Sequence, residues 1–187
     1  MNGQRDLLVT LADRSYLDQA KQLFASAYFQ GGWNGDYMLL AHDIADSDLA
    51  WFHRKGILIK HCRPLYEGRP GGMSNVLTSK FYLFTEEFKQ WRTIIYSDAD
   101  ASIRSSLDGL RGLKGFHAVP DISRYLKVQV VNRDSIEKRK IDPNQCERLV
   151  RELRGCYDLN EQPFCAGFFV FSPASLEQAV SLGLRQM

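Results

Sequence analysis

Two carboxylates two residues apart, Asp98 and Asp100, follow directly on the apolar run Thr93-Ile94-Ile95-Tyr96-Ser97. Strand side chains alternate faces, but past the last ladder bond the backbone is free to turn. Both acids can then converge on one hard cation and on the phosphates it carries. The plainer alternative for the same residues is an acidic turn that caps a following helix. Competing chemistry is sparse. Cys62, Cys146, Cys156 and Cys165 form no C-x-x-C pair and have no His at zinc-binding spacing, so they read as reduced, half-buried thiols. No Ser-His-Asp or Cys-His set is evident.

The elements that must position the acids are read from periodicity. Asp6 to Leu11 is a short apolar run that suits a strand buried on both faces. Leu17, Ala20, Phe24, Ala27 and Tyr28 then recur at helical steps, with Asp13 or Ser15 as cap and Gln30-Gly31-Gly32 as stop. Asp36 to His42 is a second strand, Ser47 to Lys55 a short helix stopped by Gly56, and Ile57 to Cys62 a third strand. Strands joined through helices are almost obliged to be parallel and right-handed, and such sheets bind ligands beyond the carboxyl ends of their strands. That places Thr10 to Tyr16 beside Asp98 to Asp100. Neither a G-x-G-x-x-G nor a G-x-x-x-x-G-K-[ST] follows the first strand, which excludes the dinucleotide fingerprint and the P-loop.

Arg63 to Asn75, with Pro64, Gly68, Pro70, Gly71 and Gly72, is a loop by composition. Val76 to Phe84 is helical by pattern, with Val76, Phe81 and Phe84 available for packing and Lys80 at the polar edge. After the acids, Ile103 to Leu113 reads as a short helix or turn and Gly115 to Val119 as a strand. The stretch 121–163 is the least periodic, rich in Lys and Arg between Arg133 and Lys140, with one helix at about Asn144 to Gly155. Phe164 to Ser172 is an aromatic-rich strand, and Pro173 opens a helix with no stop signal before Met187, which suggests a truncated C-terminal part.

Length and composition set the class. The 187 residues suit one domain, read as a nucleotide-binding half, 1–100, and an acceptor-side half, 101–187. Lys and Arg number 24 against 22 Asp and Glu, a net charge of +2 that leaves no polyanion footprint and argues against nucleic acid. No apolar run approaches a membrane span and no signal peptide opens the chain, so a soluble cytoplasmic protein is expected. The fold class expected is α/β, with a mainly parallel central sheet flanked by helices.

Four motifs in order resemble those of a known family. They are Val9-Thr10-Leu11-Ala12 with Tyr16, Ser79-Lys80, Asp98-Ala99-Asp100 after Ser97, and Phe164-Cys165-Ala166-Gly167-Phe168-Phe169-Val170-Phe171-Ser172-Pro173. Together they are similar to the GT-A nucleotide-sugar glycosyltransferases. Within these they are closest to the glycogenin-like and lipopolysaccharide-galactosyltransferase-like group, glycosyltransferase family 8. The resemblance implies a GT-A, Rossmann-like fold and retaining transfer of a sugar from a nucleotide diphosphate donor, a UDP-sugar, to a carbohydrate or glycolipid acceptor. It implies that Asp98 and Asp100 hold Mn²⁺ or Mg²⁺, that Thr10, Leu11 and Ala12 line the uracil and ribose pocket, and that Tyr16 stacks on the base. Lys80 would meet a phosphate or the donor sugar, and Ser97, Ala99, Cys165, Ala166 and Gly167 would complete the donor site.

The chain departs from the family pattern in several places. The turn from Thr10 to Tyr16 is one residue shorter than is common, Cys165 stands where Asn is usual, and the length of 121–163 implies an acceptor-shaping insertion. The family's further metal-binding His, from an H-x-x-G-x-x-K segment, has no counterpart. His42, His53, His61 and His117 are assigned to surface or strand-end positions and none to metal. Two rival readings remain: a degenerate transferase acting as a nucleotide-sugar-binding or partner-binding module, and a haloacid-dehalogenase-like phosphatase, which also places D-x-D after an apolar strand.

Overall fold

A computed structural model describes residues 5–64, 75–130 and 142–174. The first strand, β1 (Asp6–Ala12), is buried at all seven positions, as a run without polar alternation must be when both faces are covered. Asp13 caps the 3₁₀ turn Arg14–Tyr16 by accepting from the Ser15 N–H, and α1 (Leu17–Phe29) follows, burying Leu17, Ala20, Leu23, Phe24 and Ala27. Tyr28, expected on that face, is instead 63% exposed. Its place is taken by Leu23, which shares a stripe with Leu17, Ala20 and Ala27, while Tyr28 borders an apolar cavity with Phe29 and Trp51.

β2 (Asp36–His42) leads through a 3₁₀ turn, Asp46–Leu49, into α2 (Ala50–Arg54) and β3 (Leu58–Cys62). Gly56 separates the last two at φ +69°, the left-handed conformation that glycine adopts without a Cβ penalty. β4 is Thr93–Ser97, β5 is Phe116–Pro120, α3 is Leu126–Val130, α4 is Pro143–Arg154 and β6 is Phe164–Phe171. The short α3 was not foreseen in the irregular stretch. Ile103 to Leu113 contains only the 3₁₀ turn Asp108–Leu110, anchored by buried Ile103 and Leu107. Of the helix expected from Pro173 only Pro173 and Ala174 are described, both helical, and the basic run 133–140 lies outside the described residues.

Among the described residues the strands form one six-stranded sheet in the order β3-β2-β1-β4-β6-β5. β1, β2, β3 and β4 pair parallel; β6 is antiparallel to both β4 and β5. The sheet is thus mainly parallel, as expected, with an antiparallel flank. Alternation along β1 divides the core. Leu8 and Ala12 face α1 and α2 with Phe24, Leu39 and Phe52. Leu7, Val9 and Leu11 face Leu83, Phe88, Trp91, Tyr96 and Phe169.

That second face is covered by two 3₁₀ segments, Asn75–Phe84 and Glu86–Gln90, in place of the helix expected over Val76 to Phe84. Three residues per turn move the inward positions to Thr78, Ser79 and Leu83 and leave Phe81 62% exposed. Val76 packs at the core edge, and the Phe84 ring meets Phe171 at 5.4 Å.

Among the described glycines the backbone is most closely approached at Gly35. A Cβ there would lie 2.5 Å from the Asp6 carbonyl oxygen and 2.7 Å from the buried Trp33 ring. Since neither the strand nor the wedged indole can retreat, Gly35→Ala is expected to cost about 2–3 kcal/mol in urea unfolding.

The four cysteines are free, in keeping with reduced thiols, though their burial ranges from Cys62 and Cys146 inside to Cys156 outside. Burial pushes the Cys62 thiol up from 9.0 to about 12; nearby Glu87 adds to this, while Lys60 and the Ser79 hydrogen bond oppose it. The sign follows from linkage: the stability gained by keeping Cys62 protonated is complete below about pH 9 and is lost as pH rises towards 12. Native labelling at pH 8 should therefore modify Cys156 quickly and Cys62 only on unfolding; rapid modification of Cys62 in the folded chain would contradict this burial.

Candidate functional site

At the carboxyl ends of β1 and β4 lies a cavity of about 260 Å³. Its walls come from the end of β1 and its turn (Leu11, Ala12, Asp13, Tyr16) and from the 3₁₀ segment (Val76, Leu77, Lys80). The end of β4 supplies Tyr96, Asp98, Ala99 and Asp100. This is where an open parallel sheet offers a crevice, because adjacent strands send their exit loops apart.

Asp98 is the most connected group in it. Strand parity places Tyr96 and Asp98 on the same face, and the Tyr96 hydroxyl donates to Asp98 Oδ1 at 2.6 Å. Lys80 Nζ reaches the same oxygen at 2.8 Å, donates to the Ala166 carbonyl at 2.9 Å and lies 4.8 Å from the Tyr96 ring centroid. Burial, followed by the charge of Asp98, raises the Tyr96 phenol far above its ordinary value, so it remains protonated and a donor. The backbone closes the arrangement: Asp98 N–H donates to the Gly167 carbonyl at 2.8 Å, and Ala101 N–H to the Asp98 carbonyl at 3.1 Å. The second carboxylate oxygen faces Gly167, where a Cβ would stand 2.9 Å from Oδ2. Glycine there allows that close approach. Asp100 is exposed.

The structure thus brings together Leu11, Ala12, Tyr16, Lys80, Asp98, Ala99 and Asp100 from three separate segments. Ala166 and Gly167 join through backbone carbonyls. Cys165 stands partly buried beside them, its Sγ 3.5 Å from where a Gly167 Cβ would be. Thr10 and Ser97 are placed differently. Both are fully buried. Thr10 shares the parity of Leu8 and Ala12, and its Oγ1 has no hydrogen-bond partner. Ser97 Oγ donates to the Asp98 carbonyl at 3.3 Å.

Sequence reasoning passed over Tyr96, although its two-residue spacing from Asp98 carried the signal. It placed Asp13 within the stretch Thr10 to Tyr16 beside the acids but gave it only a capping role, and it missed Val76 and Leu77 as lining residues, whose contribution is position alone. Among the described residues no cluster of three or more His, Cys, Asp and Glu side chains could hold a metal ion. His42 does end β2, as expected, but it is buried at 6% exposure and not a surface residue, because Ser79 covers it.

No protein-family model and no curated protein matches the sequence. Solved structures do match. The chain superposes on an apo structure of the bifunctional glycosyltransferase WbbM with a TM-score of 0.60 at 13% identity, covering 95% of this chain and 33% of that one. An active-site mutant of LgtC gives 0.62 at 16% identity, over 92% and 59%. The apo glycosyltransferase GlyE of Streptococcus pneumoniae gives 0.54 at 14% identity, over 99% and 38%. The chain therefore spans between a third and three fifths of these proteins. At such identities the likeness establishes the fold: the α/β sheet and its flanking helices are those of glycosyltransferase structures.

Proposed function

We propose that the chain is a metal-dependent glycosyltransferase that moves a sugar from a nucleotide diphosphate, a UDP-sugar, to a carbohydrate or glycolipid acceptor. The observation that carries this reading is that Asp98, Asp100 and Lys80 line one cavity together with the 46%-exposed Tyr16. A carboxylate pair without further ligands suits Mg²⁺ or Mn²⁺, which are commonly held by one or two carboxylates together with substrate phosphates. Gly167, lacking a Cβ, makes room beside it for Asp98 Oδ2. When bound between Asp98 and Asp100, the cation would neutralise the diphosphate leaving group.

The chain's own groups have separate tasks in this reading. Tyr16 offers a flat face to the base, and Leu11 and Ala12 wall the nucleoside. Lys80 presents its ammonium to a phosphate. Tyr96 holds Asp98 in one rotamer. In the retaining, single-displacement version of the reaction, the sugar–phosphate oxygen bond breaks as the acceptor hydroxyl bonds to the same face of the anomeric carbon. The acceptor proton passes to the departing phosphate oxygen, so no protein nucleophile is needed.

A thermal-shift titration tests the donor reading. UDP at about a hundredfold excess over its Kd should raise the midpoint by roughly 5–10 °C when Mn²⁺ is present, and by far less without it. No metal-dependent shift would remove this reading. Hydrolysis of phosphate monoesters in Mg²⁺ without sugar transfer would replace it with the phosphatase one.

A further inference from the structure

We infer that His42 is a positioning residue for Lys80, acting through Ser79. The inference rests on the donor reading above for its consequence, but its structural basis is independent. Lys80 lies on the ten-residue 3₁₀ segment Asn75–Phe84. Runs of that helix type longer than three or four residues are uncommon, because their hydrogen bonds are poorly aligned. Such a segment holds its place through tertiary contacts, and a deeply buried polar contact lies at Ser79, the neighbour of Lys80.

Ser79 is fully buried, and its Oγ lies 2.8 Å from His42 Nδ1. His42 is the last residue of β2, paired in register with Cys62 of β3, so its backbone is anchored in the sheet. Apolar packing by Leu83 alone would set the depth of the segment and leave its rotation loose. A directional bond between buried polar groups fixes the rotation, because losing it strands two desolvated groups. The rotation decides whether Lys80 Nζ meets Asp98 Oδ1 and the Ala166 carbonyl, at 2.8 and 2.9 Å. His42 itself does not line the cavity.

Two measurements separate this inference from the donor reading. In the nucleotide-free chain, the rate of Lys80 acylation, followed by mass spectrometry, reports how firmly its ammonium is held. His42→Leu and Ser79→Ala should each raise that rate several-fold. His42→Asn, whose amide can occupy the Nδ1 position, should restore it. Unchanged labelling in folded His42→Leu and Ser79→Ala would overturn the inference, whatever UDP does. In the second measurement, His42→Leu should weaken UDP–Mn²⁺ binding roughly tenfold. It should weaken it no further in a Lys80→Met background, because both changes remove the same contact. Fully additive losses would overturn the inference in favour of a general packing role. Absence of UDP binding by the parent chain, with labelling raised in the variants, would overturn the donor reading and leave the positioning role supported.

Discussion

Asp98→Asn is expected to lower sugar transfer by about a thousandfold, the size of effect seen when one preorganised electrostatic contact to a reacting centre is removed. The substitution keeps volume and keeps an oxygen to accept from the Tyr96 hydroxyl, now 2.6 Å away. It removes the charge that pairs with Lys80 at 2.8 Å and puts an amide NH₂ where a cation would approach. The same variant should lose the Mn²⁺-dependent thermal shift with UDP while unfolding at nearly the parent midpoint, because Asp98 is 40% exposed and Asn can still accept from the Tyr96 hydroxyl. Asp108→Asn is the control. Its side chain is 71% exposed in an ion pair with Arg111, away from the cavity, and it should leave transfer unchanged. Transfer by Asp98→Asn within tenfold of the parent would show that the acid pair is the acidic turn that local sequence also allows.

Gly167→Ala should reduce transfer roughly a hundredfold with little loss of stability. Its Cβ would stand 2.9 Å from Asp98 Oδ2 and 3.5 Å from Cys165 Sγ. Both atoms end short side chains that can rotate, so the fold can accommodate the methyl group. The carboxylate yields by swinging away from the Gly167 wall, which strains the Tyr96 and Lys80 bonds and closes the approach to Oδ2. A circular-dichroism melt near the parent value together with a large fall in Mn²⁺-dependent UDP affinity is the expected pair of results. A fall in melting temperature with unchanged affinity would instead place the contact in the scaffold.

The sequence made legible what depends on side-chain type and period. β1, β2 and β4 were readable because covered parallel strands are continuous apolar runs. Gly56 was readable because only a left-handed cap calls for glycine there. The acid pair stood out by chemistry and Lys80 by its place in a motif. The segment Asn75–Phe84 was read with the wrong period, since a 3₁₀ helix and an α-helix share composition and differ only in which residues turn inward. Ala166 and Gly167 contribute backbone, which residue identity does not advertise. The burial of His42 was invisible because a histidine at a strand end is as readily solvated as covered, and the covering residue, Ser79, lies 37 positions away.

The sheet order β3-β2-β1-β4-β6-β5 also sets a timetable. β6 lies between β4 and β5, so β5, completed at Pro120, has no strand to pair with until Phe164–Phe171 has been synthesised. The parallel half can assemble from neighbouring segments as they emerge, whereas the acid pair waits on the ribosome for its Gly167 wall and for the Ala166 carbonyl that steadies Lys80. Even in the finished fold β5 is an edge strand with Phe116 and Val119 exposed, and before β6 pairs with it both of its edges would be open to another chain.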